Sequence, residues 1–277
     1  FYFLTTARHL YWGDSAEFVL VARYLGISHP TGYPLFSLLG RIFSLIPVAE
    51  IPFRINIISA LAALGSVLVV YYLIQLLIDN RLIASLTSLI WAFSFELWDQ
   101  ATRAEIYTLH VLFICLISYL AILWEKKTRS AYLLLLLFLL GLSFTNHLTA
   151  ILILPAIIYL LLEKRETVRD KKFIFFGIIL FILPLLLYSY LPFRSLNNPF
   201  FDYDDPENFS NFLKLVTGQE FRYRFYLPNI NWLLIQLADC GILLVRQYYY
   251  FLALAILGFL TSVKNKRLIW FAVLLIG

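Results

Sequence analysis

The sequence predicts an all-α, polytopic membrane protein. Of its 277 residues, 61% are hydrophobic and only 14% are charged, whereas soluble domains carry roughly 25% charged residues. The mean hydropathy is +0.81, and long apolar runs alternate with short charged segments. The net charge of +5 has a membrane explanation, given below, and we expect no nucleic-acid partner.

The two ends of the chain look like interrupted spans. The chain contains no methionine, residues 1–10 resemble the end of a helix, and the sequence stops inside an apolar run at Gly277. We therefore expect one transmembrane domain over 1–277 that is truncated at both ends. Cys115 and Cys240 lie in apolar surroundings and predict neither a disulfide framework nor a zinc site.

Residues 11–52 form the predicted first outer loop. A helix is expected to start at Asp14 and to be closed by Gly26, because Phe18, Val21, Ala22 and Leu25 follow helical spacing. Pro34 suits the first position of a second short helix that ends near Pro47. The first helix is too short to cross a bilayer and is predicted to lie along its surface.

Eight apolar stretches are candidate spans: 53–78, 82–98, 106–124, 131–146, 148–162, 173–193, 247–263 and one that begins at 268. The run 131–162 would be about 48 Å long as a single helix, well beyond a hydrocarbon core of about 30 Å. The loops on either side of it are rich in Lys and Arg, and like-charged flanks should share a side of the membrane. We therefore predict a hairpin with Asn146 and His147 at its tip.

The charges predict the orientation. Seven of the eight lysines fall in 125–129, 163–172 and 264–267, which the positive-inside rule assigns to the cytoplasm. Twelve of the seventeen acidic residues fall on the opposite face. That outer face gathers side chains from five separate parts of the chain: Asp14, Glu17, His29, Arg103, Glu105, His147 and Arg194. Polar groups at the edge of a membrane protein are costly unless they are used.

Residues 194–231 form the predicted second outer loop. Asp205-Pro206 has the pattern of a helix cap followed by proline, and an apolar stripe follows that ends near Gly218. The stripe consists of Phe209, Phe212, Leu213 and Val216. We expect an amphipathic interfacial helix here. Residues 232–245 are apolar but contain Asp239, so they are expected to be re-entrant or to lie against the bundle.

Each polar residue also has a purely structural interpretation. Asp14 and Glu17 fit a capping box, which is compatible with a catalytic role because a capping carboxylate can still accept a proton. Other side chains fit a braced turn (His29), an interfacial ion pair (Arg103 with Glu105), a hairpin cap (Asn146-His147) and a helix-end anchor (Arg194). Asp202, Asp204 and Asp205 lack an EF-hand pattern and favour a capped loop over a cation site. The sequence has no P-loop, GxSxG, HExxH or GxGxxG motif.

Several sequence blocks resemble the DUF2723 family of membrane proteins. In chain order they are GDSAEF, LGISHPTGYPLFSLLGRIFSLIP, FRINIISAL, RAEIYTLH, GLSFTNHLT and YLPFR. The resemblance covers nearly the whole chain and departs from the family pattern at Ala16, where Gly is expected, and at His110, where Asn is expected. It implies a GT-C glycosyltransferase fold, with a catalytic acid and two surface helices in the first outer loop. It also implies a sugar donor on a polyprenyl phosphate, mannose in the characterised relative.

The resemblance implies a set of roles. Asp14 matches the acid of the first loop and is the expected general base, which Glu17 supports or helps by orienting the acceptor. The chemistry also requires positive charge near the departing phosphate, so Arg103, Arg194 and His147 are the expected ligands of the donor phosphate. His29, Tyr33, Glu105, Tyr107 and Asn146 are expected to form the sugar and acceptor pocket. Phosphate is a good leaving group, so we expect no obligatory metal and no cofactor.

Three functions are therefore carried forward. The first is inverting transfer of mannose or another hexose to a hydroxyl acceptor, Ser or Thr of a protein. The second is the same chemistry on a lipid or cell-wall glycan, and the third is a carrier or flippase that moves the sugar lipid without transfer. All three predict a multi-pass protein in the lipid bilayer of a bacterial-type plasma membrane or of the endoplasmic reticulum. The active site is expected on its outer or lumenal face.

Overall fold

The protein is described by a computed structural model that covers residues 1–163, 170–221, 230–249 and 251–261. Its α-helices in these ranges are α1 (Tyr2–Thr5), α2 (Asp14–Tyr24), α3 (Pro34–Ser44), α4 (Ile51–Ile78), α5 (Arg81–Ala92), α6 (Phe95–Ala101), α7 (Ile106–Lys127), α8 (Ser130–Phe144), α9 (Leu154–Glu163), α10 (Lys171–Leu185), α11 (Tyr190–Ser195), α12 (Phe209–Val216), α13 (Ile230–Tyr248) and α14 (Phe251–Thr261). Two 3₁₀ segments, Leu148–Ile153 and Leu186–Ser189, precede α9 and α11. Across these ranges, the only strand-type pairing is an isolated bridge between Ile27 and Asp202.

The predicted all-α polytopic class is confirmed. By length and composition, α4, α7 and the continuous segment Lys171–Ser195 can each cross a membrane. A fourth crossing arises if α13 and Phe251–Gly258, which are bent by 111° at their junction, count as one broken span. These counts refer to the described ranges.

The helices α4 and α7 form an antiparallel central pair. Near the start of α7, Ser59 of α4 donates to the Glu105 carbonyl and accepts from the Glu105 backbone N–H, both at 3.1 Å. At the other end, the Lys126 ammonium donates to the Leu76 carbonyl. The 22 residues of α7 rise by about 33 Å, which is enough to cross the hydrocarbon core. Glu105 and the basic end of α7 therefore lie on opposite sides of the bundle, as the charge pattern predicts.

The chain reversal predicted at Asn146 and His147 is confirmed, although its two arms, Ser130–Phe144 and Leu148–Leu162, are shorter than the three described helices that can cross a membrane by length and composition. The helix α8 ends at Phe144, and the chain resumes as the 3₁₀ segment at Leu148. Leu161 then lines the same groove as Leu133 and Leu137. In one continuous helix, Leu161 would be about 36 Å from Leu137, so the chain must double back at the break.

The contact between α8 and α10 depends on Gly141. A Cβ atom at this position would lie 2.1 Å from the Phe181 carbonyl oxygen, so only glycine allows the two backbones to approach this closely. We expect Gly141→Ala to lower the free energy of unfolding by about 1–3 kcal/mol, because overpacking must push the helices apart. Thermal unfolding in detergent measures the change.

The matched control is Gly241→Ala, in α13, where a Cβ would meet nothing within 4 Å. Alanine is the better helix former there by up to about 1 kcal/mol, so this variant should unfold at or slightly above the wild-type temperature. Equal melting of the two variants would show that the α8–α10 approach contributes nothing to stability.

Two predicted spans are wrong in detail. The stretch 82–98 is divided because α5 ends at Ala92, where the Ser94 hydroxyl donates to the Trp91 carbonyl and closes the helix. The stretch 247–263 is divided because α13 continues to Tyr248 and Tyr249 turns the chain with a positive φ of 43°. Residues 232–245, predicted to be re-entrant or to lie against the bundle, are within α13, the first arm of the bent pair. The span expected from 268 lies outside the described residues.

The outer-loop helices begin close to where the sequence predicts. The helices α2 and α3 start at Asp14 and Pro34, although α3 ends at Ser44 rather than near Pro47. The helix α12 starts at Phe209, capped by Asn208, whose Oδ1 accepts from the Asn211 backbone N–H at 2.9 Å. The predicted cap at Asp205 is wrong, because that carboxylate instead accepts a hydrogen bond from the Ser195 hydroxyl at 3.1 Å.

Candidate functional site

The first outer loop is organised around the Glu17 carboxylate. Its Oε1 accepts hydrogen bonds from the Ser28 hydroxyl, from the His29 backbone N–H at 2.8 Å and from His29 Nδ1 at 3.0 Å. The predicted capping box does not form: Gly13 is the N-cap residue of α2, and no side chain caps this end. Glu17 thus reaches across to the following loop and fixes the position of the His29 ring.

The hydrogen bonds around His29 define its charge. Burial opposes ionisation of Glu17, but the bonds from His29 and Ser28 outweigh it and lower the pKa of Glu17 to about 2. His29 Nδ1 must then donate. The Tyr33 hydroxyl donates to the Pro30 carbonyl at 2.7 Å, so at 3.3 Å it can accept from His29 Nε2. Burial alone would lower the pKa of His29, but the Glu17 carboxylate and more distant acids raise it, in agreement with an imidazolium.

Tyr33 joins the first loop to the tip of the predicted hairpin. It precedes α3 with a left-handed backbone (φ 41°). Its ring is nearly parallel to that of His147, with 6.2 Å between centroids and 14° between planes. The centre of the Tyr107 ring lies 5.8 Å from that of His147. Together with His29, which contacts Tyr33, four of the predicted pocket and phosphate residues are therefore neighbours.

Arg103 lies between two carboxylates. Its Nη1 is 2.7 Å from Asp99, and its Nε is 3.4 Å from Glu105. Its guanidinium carbon lies 5.3 Å from the centre of the Tyr11 ring, within the range of a cation–π contact. Nη2 has no hydrogen-bond partner among the described residues, which leaves one guanidinium nitrogen for an anionic ligand.

Glu105 is a buried acid held by α4. The residue is only 6% exposed, and the Asn56 side chain accepts from the Ala104 backbone N–H at 2.8 Å while Ser59 binds the Glu105 backbone. Its Oε2 atom has no hydrogen-bond partner within the described part of the chain. Burial outweighs the nearby Arg103 and raises the pKa of Glu105 to about 7. At neutral pH this carboxyl is therefore poised between its two protonation states.

The raised pKa of Glu105 predicts a pH-dependent stability. The folded protein binds a proton here up to about pH 7, whereas an ordinary glutamate releases it near 4.5. The free energy of unfolding should therefore fall as pH rises from about 4.5 to 8, by up to about 3 kcal/mol from this group. Thermal unfolding across this range should show a steeper decline for wild type than for Glu105→Gln. The exposed Glu207→Gln should keep the wild-type slope; equal slopes in all three proteins would contradict the prediction.

Asp14 stands at the rim of this group. It is the first residue of α2 and is exposed, and its carboxylate makes no hydrogen bond or ion pair with the described residues. Burial is the main reason that the pKa of Glu105 is raised, and the charge of Asp14 adds to it. The same charge helps to raise the pKa of His29. Asp14 thus lies within electrostatic reach of both groups while remaining free to contact a ligand.

Two other predicted residues have largely internal contacts. Asn146 is fully buried, and its Nδ2 donates to the Ile106 carbonyl at 3.0 Å. It therefore fixes the hairpin tip to the start of α7 beneath His147. Burial and the neighbouring charge of His29 both lower the pKa of His147, so this ring is neutral at pH 7, whereas the predicted phosphate role assumes positive charge.

The structure does not bring Arg194 to this group. Its Nε donates to the Leu25 carbonyl at 2.6 Å and its Nη2 to the Tyr24 carbonyl at 3.3 Å. These carbonyls end α2, roughly 15 Å along the helix from Asp14. Tyr190 donates to the Gly26 carbonyl at 2.8 Å beside them. The expected meeting of Arg194 with Arg103 and His147 is therefore corrected: Arg194 stabilises the end of α2, as a helix-end anchor would.

Apolar cavities adjoin the Arg103 side of the group. One of them, of about 820 Å³, is lined by aromatic rings together with Asp99, Thr102 and Arg246. A second, of about 610 Å³, shares Ile90, Tyr248 and Phe251 with the first and extends along α4, α5 and α7. The Asp99–Arg103 ion pair thus borders space that is suited to an apolar chain.

Sequence reasoning missed several residues that shape the group. They are Ser28, Asn56, Ser59, Asp99 and Thr149, while His110 stood out only as a departure from the family pattern. Asn56 and Ser59 carried a usable signal, since two polar residues three apart share one face of an otherwise apolar helix. Asp99 lies four residues before Arg103, the spacing of a helical ion pair.

These features define a class of protein: a multi-pass helical membrane protein with a polar site at one end of its bundle and an apolar groove beside it. Residues 14–170 match the family described as the N-terminal domain of protein O-mannosyl-transferase TMEM260. The match covers more than half of the chain, and the chain belongs to this family.

Two relatives carry the same description. The chain is 31% identical over 201 residues to the protein O-mannosyl-transferase TMEM260 of Mus musculus, a match that covers 69% of this chain and 28% of the relative. It is 28% identical over 131 residues to the protein O-mannosyl-transferase tmem260 of Dictyostelium discoideum, which covers 46% of this chain and 16% of the relative. The chain thus spans less than a third of these relatives. No solved structure matches it.

Proposed function

We propose that this chain is the membrane-embedded part of a glycosyltransferase of GT-C type. It would transfer mannose or another hexose from a polyprenyl-phosphate donor to a Ser or Thr hydroxyl of a protein, with inversion at the anomeric carbon. The observation that carries the proposal is the juxtaposition of Asp14, the Glu17–His29 pair and the Arg103–Glu105 pair beside an apolar groove. The names of the relatives support a protein acceptor and mannose.

In the proposed reaction, the acceptor hydroxyl oxygen attacks the anomeric carbon as the bond from that carbon to the phosphate oxygen breaks. Asp14 accepts the hydroxyl proton, a role for which a free, exposed carboxylate is suited. The polyprenyl phosphate leaves from the opposite face with its electron pair. Glu17 supports this step by holding the His29 imidazolium, whose charge lies near the reacting groups.

Arg103 is the proposed ligand of the departing phosphate. A guanidinium can hold two phosphate oxygens at once and stays charged throughout. Asp99 and Glu105 hold the side chain through Nη1 and Nε, so its remaining nitrogen is already positioned for the donor. Tyr107 and Tyr33, near His147, would line the sugar site.

The polyprenyl tail is proposed to occupy the apolar cavities next to Asp99. A chain held there would lie along α5 and α7 while its phosphate reaches Arg103. The basic end of α7 lies about 33 Å from the site. The positive-inside rule then supports an active site on the outer or lumenal face.

The test uses purified full-length protein in liposomes with polyprenyl-phosphate [³H]mannose and a Ser/Thr-containing peptide. Transfer of label to this peptide, and not to the same peptide with every Ser and Thr replaced by Ala, is the expected result. Label that crosses the bilayer without joining any acceptor would favour a carrier. Label that appears only in lipid or glycan fractions would favour a non-protein acceptor.

A further inference from the structure

Two histidines are linked through a threonine hydroxyl next to the proposed site. His147 Nδ1 lies 2.6 Å from Thr149 Oγ1, which in turn lies 3.0 Å from His110 Nε2. The Thr149 backbone N–H also points at His147 Nδ1, at 3.2 Å. The two rings are 5.2 Å apart. His110 is the fifth residue of α7. Through Thr149, the start of this membrane-spanning helix therefore contacts the segment that follows the hairpin tip.

The proton positions follow from these contacts. A backbone N–H can only donate, so His147 Nδ1 must carry a lone pair, and the ring's proton is on Nε2. The short contact to Thr149 Oγ1 then requires that the hydroxyl donate to Nδ1, because two lone pairs would repel each other. With its single proton used, Oγ1 must accept from His110 Nε2–H. Only this arrangement satisfies all three contacts.

We propose that His110 and Thr149 are positioning residues that hold His147 as a neutral imidazole with an Nε2–H donor, and that this donor binds a phosphate oxygen of the lipid-linked sugar. The identity of the ligand rests on the proposed function, whereas the positioning of His147 rests on the hydrogen bonds alone. Nε2 is on the ring edge away from Thr149 and makes no hydrogen bond within the described chain. The Tyr33 ring stacks on the same imidazole and fixes its plane.

A neutral donor suits this position. The His29 imidazolium is already close to His147 and helps, after burial, to lower the pKa of His147. A second imidazolium would repel it. An uncharged N–H adds a directed hydrogen bond to the phosphate without that repulsion, while Arg103 supplies the positive charge. His147 was expected to bring positive charge to the phosphate, and the hydrogen-bond arrangement replaces that charge with a neutral donor.

The first test measures the protonation of the His147 ring directly and does not depend on sugar transfer. The sequence has four histidines, so ¹⁵N-histidine NMR of the full-length protein in detergent can be assigned by single substitutions. Wild type and Thr149→Ser should show His147 protonated on Nε2 alone. Thr149→Val, which keeps the side-chain shape but removes the hydroxyl, should show a mixture of the two tautomers, because only the longer backbone contact at 3.2 Å then favours the proton on Nε2. A wild-type His147 protonated on Nδ1, or on both nitrogens, would overturn the proposal.

The second test measures the binding of a lipid phosphate to His147. A short polyprenyl monophosphate should shift the His147 Nε2 resonance in wild type and in Thr149→Ser, and should bind about 10- to 100-fold more weakly to Thr149→Val. His110→Gln keeps a donor near the position of Nε2 and should resemble wild type, whereas His110→Leu should resemble Thr149→Val. Unchanged affinity in both Thr149→Val and His110→Leu would refute the positioning role. Absence of sugar transfer by wild type with these shifts intact would count against the proposed function alone.

Discussion

Replacing Asp14 with asparagine is expected to reduce sugar transfer by about 10²–10⁴-fold, the usual contribution of a positioned general base. The side chain is exposed at the start of α2, so asparagine fits the same space and the fold should be unaffected. The experiment is the initial rate of [³H]mannose transfer to peptide, measured beside the melting temperature of each protein.

Glu207→Gln is the matched control, because it also removes one exposed carboxylate from the predicted outer face. It should retain the wild-type rate. Near-normal transfer by Asp14→Asn, with an unchanged melting temperature, would remove Asp14 from the chemistry and leave Glu105 as the next carboxylate to test.

The second large effect separates two arginines that look equivalent in the sequence. Arg103→Gln should raise the donor KM by about 10- to 100-fold, since a charge-assisted hydrogen bond is worth about 1.5–3 kcal/mol. Arg194→Gln should leave the donor KM unchanged and lower the melting temperature, because the Tyr24 and Leu25 carbonyls lose their donors. Steady-state kinetics with varied donor concentration and thermal unfolding together give both values.

The reverse outcome, a donor KM that depends on Arg194 and not on Arg103, would contradict the assignment of Arg103 to the phosphate. Arg41→Gln is a useful third variant. Its Nη1 donates to the Arg23 carbonyl at 2.6 Å, so it removes another cation with a helix-end contact and should resemble Arg194→Gln.

The membrane class and the outer-loop helices could be predicted because they depend on local pattern. Apolar length identified α4 and α7, helical spacing identified α2, and Pro34 marked the start of α3. The hairpin was predicted from the length of the apolar run together with the charge of its flanks, since basic loops on both sides favour the same face of the membrane. These inferences required no knowledge of which helices touch.

The partners of the polar residues could not be predicted this way. Glu17 fits a capping pattern in the sequence, yet the cap does not form and its partners lie 11 and 12 residues further on, at Ser28 and His29. Arg194 sits at a helix end in the sequence, and nothing in its neighbours indicated the carbonyls of Tyr24 and Leu25, 170 and 169 residues earlier. Such pairings depend on how whole helices pack, which local spacing does not encode.

The support that reaches the first loop from far along the chain bears on how this protein can be divided for study. The family match stops at residue 170, but Tyr190, Arg194 and the bridge to Asp202 hold the backbone immediately before Ser28. A recombinant piece cut at 170 would leave those carbonyls without protein donors. The shortest fragment suited to biochemical work therefore extends past Asp202, well beyond the boundary that sequence similarity draws.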